Sequence, residues 1–223
     1  MKLSRAQAHE LRHSGFIALK NHDPEISTER VAADIGHAYE ASQMSAVHRL
    51  KPSNESAARG YSYSGIFGKS SFPLHSDLAH WQSPPRYLLL RCVIPNSLVN
   101  THLVHFDTIN AAISKSAIRR ALFKPRRRQN GRLALLRYCE KKGDLYRYRW
   151  DSVFIKPDNA PALEVVEAVE EHEQKKSYVS HSLSSAEDML LIDNWSIAHG
   201  RSEVPSADCN RVVERIYLSE IHN

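Results

Sequence analysis

Two short runs, "YLLLRCVI" (87–94) and "MLLI" (189–192), limit the folds open to this chain. Each is almost wholly apolar and has the length of a buried strand, too short for a membrane span. A strand that is apolar on both sides needs a layer against each face, so its sheet lies inside the molecule. Other strand-like segments alternate with polar turns: "GFIALKN" (15–21), "THLVHF" (101–106), "RLALLRYC", "DLYRYRW", "SVFIKP", "YVSHSL" and "RVVERIYLSEI". Helices are expected from about Ser4 to Arg12 with Ser4 as N-cap, and over "STERVAADIGHAYEAS" (27–42). The second opens on Ser27, with Ile26 and Val31 spaced as a hydrophobic staple and Val31, Ile35 and Ala38 at helical period. Two more are expected from about Asp107 to Phe123 and from about Ala162 to Gln174. "ARGYSYSGIFGKSSF" (58–72) has no helical period and reads as a long ordered loop into a strand at "FPLHSDLAHW". Many short strands with few helices argue for a mainly β fold with flanking helices: a double-stranded β-helix, the jelly roll or cupin-like barrel.

The 223 residues, 42% apolar and 25% charged, suit one domain spanning 1–223, with no repeat or linker. The basic N-terminus lacks an apolar core and a small-residue cleavage site, so no secretory signal is expected. Cys92, Cys139 and Cys209 are too few and scattered for a disulfide framework, which fits a cytoplasmic protein. A net charge of +5 raises the question of nucleic acid, most sharply at "SAIRRALFKPRRRQNGR" (116–132) with its seven Lys and Arg. Those charges straddle a helix end and the next strand, and stacking aromatics are sparse there. The plainer reading is a solvated basic edge, with no nucleic-acid partner and no membrane.

"FPLHSDLAHW" (72–81) places His75 and Asp77 on either side of Ser76, so a strand would send both side chains to one face. A buried imidazole and a buried carboxylate are costly unless they share a proton, a hydrogen-bond network or a metal. Further on, "LLIDNWSIAHGRSEV" brings His199 onto another interior strand. Two His and one carboxylate occupy one face of a metal and leave the opposite positions open, the arrangement of non-haem Fe(II) oxygenases. In "RVVERIYL", Arg211 and Arg215 lie on one strand face, roughly 13 Å apart by the strand rise. One such guanidinium suits a bidentate grip on a carboxylate.

These segments, in order from "LRHSGFIALKNH" through "LHSDLAHW…PPRYLLLRC" to "LLIDNWSIAHGR" and "RVVERIYL", resemble the TauD/TfdA (clavaminate-synthase-like) Fe(II)/2-oxoglutarate-dependent oxygenases. The resemblance implies an Fe(II) site at His75, Asp77 and His199. It implies that Arg211, twelve residues after the distal histidine, binds the C5 carboxylate of 2-oxoglutarate, and that Thr101 also touches it. Arg215 falls where relatives meet the substrate's anionic group or flank the co-substrate. The implied reaction uses O2 to hydroxylate, or otherwise oxidise, an unactivated C–H of a small molecule, releasing succinate and CO2. Asp77 argues against a halogenase. The expected substrate is anionic or amino-acid-like. Tyr61, Tyr63, Phe67 and Trp81 either line its cavity or cover the barrel mouth, while Arg201 is read as tying down the turn after His199. Asp193 and Asn194 read as turn residues with local backbone bonds. A lid comes from the loop at 59–71 or from a second subunit, so homo-oligomerisation stays open. The alternatives are a non-catalytic small-molecule-binding jelly roll and a nucleic-acid-directed oxygenase.

Overall fold

Alternation along the central strands sorts their side chains into separate cores. In the computed structural model, which describes residues 2–20, 25–40, 46–52, 62–128, 131, 133–186, 188–205 and 210–222, the larger sheet has six strands. Its main path runs β1 (Phe16–Leu19), β13 (Met189–Asp193), β5 (Tyr87–Ile94), β15 (Val212–Ile221), β2 (Gly36–Ala38). A further strand, β3 (Val47–Leu50), also pairs with β15. The smaller sheet runs β12 (Val179–Ser182), β6 (Asn100–His105), β14 (Ile197–Arg201), β4 (Phe72–His75). All these pairings are antiparallel.

Leu88, Leu90, Leu190, Ile192, Val213 and Tyr217 of the larger sheet meet Leu103 and Ile197 of the smaller, and this layer is the interior of a jelly roll. The opposite face of the larger sheet (Tyr87, Leu89, Leu191, Ile216, Leu218) packs on helices α1 (Arg5–Ser14) and α2 (Thr28–Ile35). The outer face of the smaller sheet (Leu74, Val104, Ala198) packs on α4 (Phe106–Asn110), α5 (Lys115–Arg120) and α6 (Ala160–Lys175). Two small sheets complete the β structure: β9 (Cys139–Lys142) with β10 (Leu145–Tyr148), and β11 (Ile155–Pro157), β7 (Leu122–Pro125) and β8 (Leu136–Arg137). The mainly β jelly roll with flanking helices is therefore present. Among the described residues no ladder joins the two main sheets, so they face each other as an open double sheet and not as a closed barrel. No described helix is long and apolar enough to cross a membrane.

α1 starts at a full capping box: Ser4 Oγ accepts the Gln7 N–H and Gln7 Oε1 accepts the Ser4 N–H. It stops at Gly15, where φ is +77° and an added Cβ would meet Ile197 at 2.6 Å, so only glycine suits this corner.

Four expected elements differ. The helix expected over 27–42 ends at Ile35, and Ala38 lies exposed in a strand. At Gly36 the chain turns extended and runs against β15, where a Cβ would sit 2.0 Å from the Glu220 carbonyl. The helix expected over 107–123 is two short helices and a strand. Ser114 interrupts it by capping α5 through the Ala117 N–H. Of the stretch expected as loop, 58–61 lies outside the described residues and 63–67 forms α3 (Tyr63–Phe67), capped by Ser62. Finally, the strand at "FPLHSDLAHW" is only β4, and Asp77 opens a turn.

Candidate active site

β4 and β14 are neighbours with His75 directly across from His199, so the strand ladder itself delivers two imidazoles to the inner face. Their ring centroids lie 4.6 Å apart. Asp77 joins them from the turn. Its Oδ1 is 3.4 Å from His75 Nε2 and 3.8 Å from His199 Nε2, and all three residues are buried. One ligand atom from each lies within 4.8 Å of the others.

The surroundings orient these atoms. His75 Nδ1 sits 2.9 Å from the Pro73 carbonyl, which can only accept, so Nδ1 carries the proton and Nε2 the lone pair. Asp77 Oδ2 accepts from the Tyr217 hydroxyl at 2.9 Å and from Arg215 at 3.3 Å, leaving Oδ1 toward the imidazoles. Burial alone would push the Asp77 carboxyl up. The Arg215 guanidinium and the two imidazoles outweigh it and hold the group well below its usual range. Burial pushes His199 down, whereas for His75 the Asp77 carboxylate overcomes burial and raises it. Two nitrogens and one anionic oxygen in this donor set would suit a non-haem Fe(II) ion.

That cavity, about 340 Å³, is lined by all three residues. Arg211 and Thr101, 9% and 5% exposed, also line it. Arg211 Nε has no partner among the described residues. Burial lowers the Arg211 pKa, opposed by Cys92 and by no carboxylate among the described residues. A buried cation with no counter-ion among the described residues suits an anion from outside. Arg201 also faces the cavity, but it donates to the Gly68 and Ser70 carbonyls and covers the Phe72 ring at 3.7 Å, fastening the 68–72 segment to β14.

The Tyr63 ring, also in the lining, stacks on His75 with centroids 4.1 Å apart. Asp151, 1% exposed, also lines the wall, with Oδ1 accepting the N–H of Val153 and Phe154 at 2.8 Å each. Burial raises its pKa, opposed first by His75 and then by those backbone donors. His80 is driven down to about 4 by burial and by the Arg149 charge, so its ring is neutral at pH 7.

The structure thus brings His75, Asp77, His199, Arg211, Thr101, Arg215 and Tyr63 around one cavity. Tyr61 lies outside the described residues. Trp81 is not among the cavity-lining residues; its ring stands 6.5 Å from Tyr39 and its carbonyl accepts from Arg149. Arg215 faces the cavity but bonds Asp77. Asn194 is more than a local turn residue. Its Oδ1 accepts the Asp77 N–H at 2.7 Å, and its Nδ2 donates to the Asp77 and Pro85 carbonyls at 3.0 Å each. Sequence reasoning missed Asn194, Asp151 and Tyr217. Only Tyr217 carried a signal, since it follows Arg215 at the period of two that defines a strand face.

The fold is that of the non-haem iron oxygenases. Asparagine oxygenase, solved with Fe(II), 2S,3S-3-hydroxyasparagine and succinate, superposes with a TM-score of 0.69 at 18% identity, over 96% of this chain and 78% of that one. PvcB of Pseudomonas aeruginosa gives 0.68 at 17% identity, over 95% and 78%. The non-heme iron oxygenase OrfP, solved with Fe and alpha-ketoglutaric acid, gives 0.69 at 16% identity, also over 95% and 78%. No family model and no curated protein matches the sequence.

Proposed function

We propose that this chain is a non-haem Fe(II)/2-oxoglutarate-dependent dioxygenase that hydroxylates, or otherwise oxidises, an unactivated C–H of a small amino-acid-like molecule. The observation that carries this reading is that a buried His75, Asp77, His199 set opens on the same cavity as Arg211, a buried guanidinium that faces no carboxylate among the described residues.

His75, Asp77 and His199 hold the metal. Bound Fe(II) supplies the activation of O2 at the expense of 2-oxoglutarate, which leaves as succinate and CO2. Arg211 grips the distal carboxylate of 2-oxoglutarate with its fork of donors, and the Thr101 hydroxyl adds a further bond. Tyr217 and Arg215 hold Asp77 Oδ2, so that Oδ1 keeps its aim. Leu88, Leu90 and Val213 line the same space and keep water from the reacting carbon. Residues 1–223 work as one domain.

Asp151 supports an amino acid as substrate, since an acid buried in the cavity wall suits a protonated amine. Asparagine oxygenase and OrfP were solved with hydroxyasparagine and (3S)-hydroxy-L-Arg, each beside succinate. The test is succinate release across the proteinogenic amino acids and their N-acetylated and deaminated counterparts. Asp151→Asn keeps the two backbone bonds and loses the charge. Its KM for the amine-bearing substrate rises about 10- to 100-fold, the cost of one desolvated charge contact, while KM for 2-oxoglutarate stays unchanged. Preference for the deaminated acids, or an equal rise in both KM values, would contradict the amine contact.

A further inference from the structure

The turn that bears Asp77 is held in an unusual way. Asp77 stands beyond the end of β4, outside the ladder, and the next residue, Leu78, has φ of +56°, a left-handed conformation that costs a branched side chain energy. Such a conformation persists only where its surroundings over-determine it.

Two buried side-chain clamps do so. Asn194, 1% exposed, brackets the Asp77 peptide on both sides through the bonds described above. Arg149, fully buried, forks Nη1 onto the Ala79 and Trp81 carbonyls at 2.8 and 2.7 Å, and its Nη2 donates to Glu140 at 2.7 Å. Arg147 repeats the pattern one carbonyl further, donating to Gln82 O at 3.0 Å and to the other oxygen of Glu140 at 2.7 Å. Arg147 and Glu140 are cross-strand partners in the β9–β10 hairpin, so one hairpin presents the whole cluster to the carbonyls of residues 79–82. Two arginines sharing one carboxylate are expensive to bury, and a purely apolar contact would serve packing better. The guanidinium instead divides the work, Nη1 serving the alternate carbonyls of Ala79 and Trp81 while Nη2 holds Glu140, a planar two-armed arrangement that a lysine's point-like ammonium does not reproduce.

We infer that Arg149, locked by Glu140, is a positioning residue that fixes the 77–82 turn so that Asp77 is presented to the metal and His80 to the cavity. Asn194 is the second jaw of the same device. The inference rests on the metal site proposed above, and metal binding without turnover tests the two separately.

The probe is Co(II), titrated anaerobically and read by its visible d–d bands, alongside thermal melting of the metal-free proteins. Wild type and Arg137→Met, a control at an exposed strand position, bind Co(II) alike. Arg149→Met and Asn194→Ala bind it about 10- to 100-fold more weakly with altered band shape, the range for residues that orient a ligand from behind. Arg149→Lys and Glu140→Gln, which preserve most of the packing, fall between, and they carry the test if Arg149→Met does not fold. A lowered melting temperature with Co(II) affinity and spectrum equal to wild type in these folded variants would overturn the inference and make the cluster purely structural. No Co(II) binding by wild type would overturn the metal site and the inference with it.

Discussion

His199→Ala loses at least about 100-fold in Fe(II) affinity and all measurable succinate release, because residues that only orient a metal ligand already account for 10–100-fold. His199 is the only ligand that comes from the second half of the chain. It sits across from His75 in the ladder, so its removal leaves the strands, the His75–Pro73 bond and the Asp77–Tyr217 bond in place. The variant therefore keeps its fold while the donor set falls to one nitrogen and one carboxylate. Equilibrium dialysis against Fe(II) under argon, with circular dichroism of the same sample, checks both halves of the expectation. Fe(II) affinity within a few-fold of wild type would place the ion elsewhere.

Arg211→Met has the next largest effect, and it falls on a different ligand. Arg211 is buried, its Nε has no partner among the described residues, and its side chain faces the cavity that holds the triad. Methionine retains much of the packing volume and removes the fork. The pair it would make with a carboxylate is desolvated, so losing it costs about 3–5 kcal/mol, roughly 100- to 5,000-fold in affinity for 2-oxoglutarate. Metal affinity should not change, since Arg211 bonds none of the three ligands. KM for 2-oxoglutarate at saturating substrate, measured beside Fe(II) affinity, separates the two. If Arg211→Met instead raised KM for the primary substrate and spared 2-oxoglutarate, the cavity would be oriented the other way round, with the co-substrate near Asp151. Arg215 is the natural comparison. It donates to Asp77, so its loss should disturb the metal site before it disturbs either organic ligand.

What could be read from the sequence follows a physical line. His75, His199 and Arg211 were legible because each stands in or beside an apolar strand whose alternation dictates the inward face. Their order along the chain then narrowed the chemistry. The apolar strands and the caps at Ser4 and Ser27 were legible too, since their signals are local. Elements ended by a tertiary contact were not. Nothing within a few residues of Gly36 announces that the Glu220 carbonyl approaches it, so a helical period ran on to Ala38 in the reading and stopped at Ile35 in the fold. The same holds at Asp77, whose placement depends on Asn194, 117 residues away, and on carbonyl contacts from Arg149. Asp151 was invisible for another reason: an aspartate before a serine looks like a turn residue, and only the packing of α3 and β4 around it makes it a cavity wall. Trp81 was open between lining the cavity and covering the barrel mouth, because nearness to a ligand in sequence does not decide nearness in space. In the fold it follows the turn at 77–80 and is not among the cavity-lining residues.

The central claim is that the His75, Asp77, His199 set and Arg211 serve one metal-bound co-substrate. Adding Fe(II) and then 2-oxoglutarate to the metal-free protein without oxygen tests it most directly, by the weak visible charge-transfer absorption of a 2-oxo acid chelated to Fe(II). A band that saturates at one equivalent of Fe(II), vanishes in His199→Ala and requires far more 2-oxoglutarate in Arg211→Met is the predicted result. No band in wild type, together with no heat of 2-oxoglutarate binding, would contradict the account and leave a jelly roll that binds some other small molecule without this chemistry.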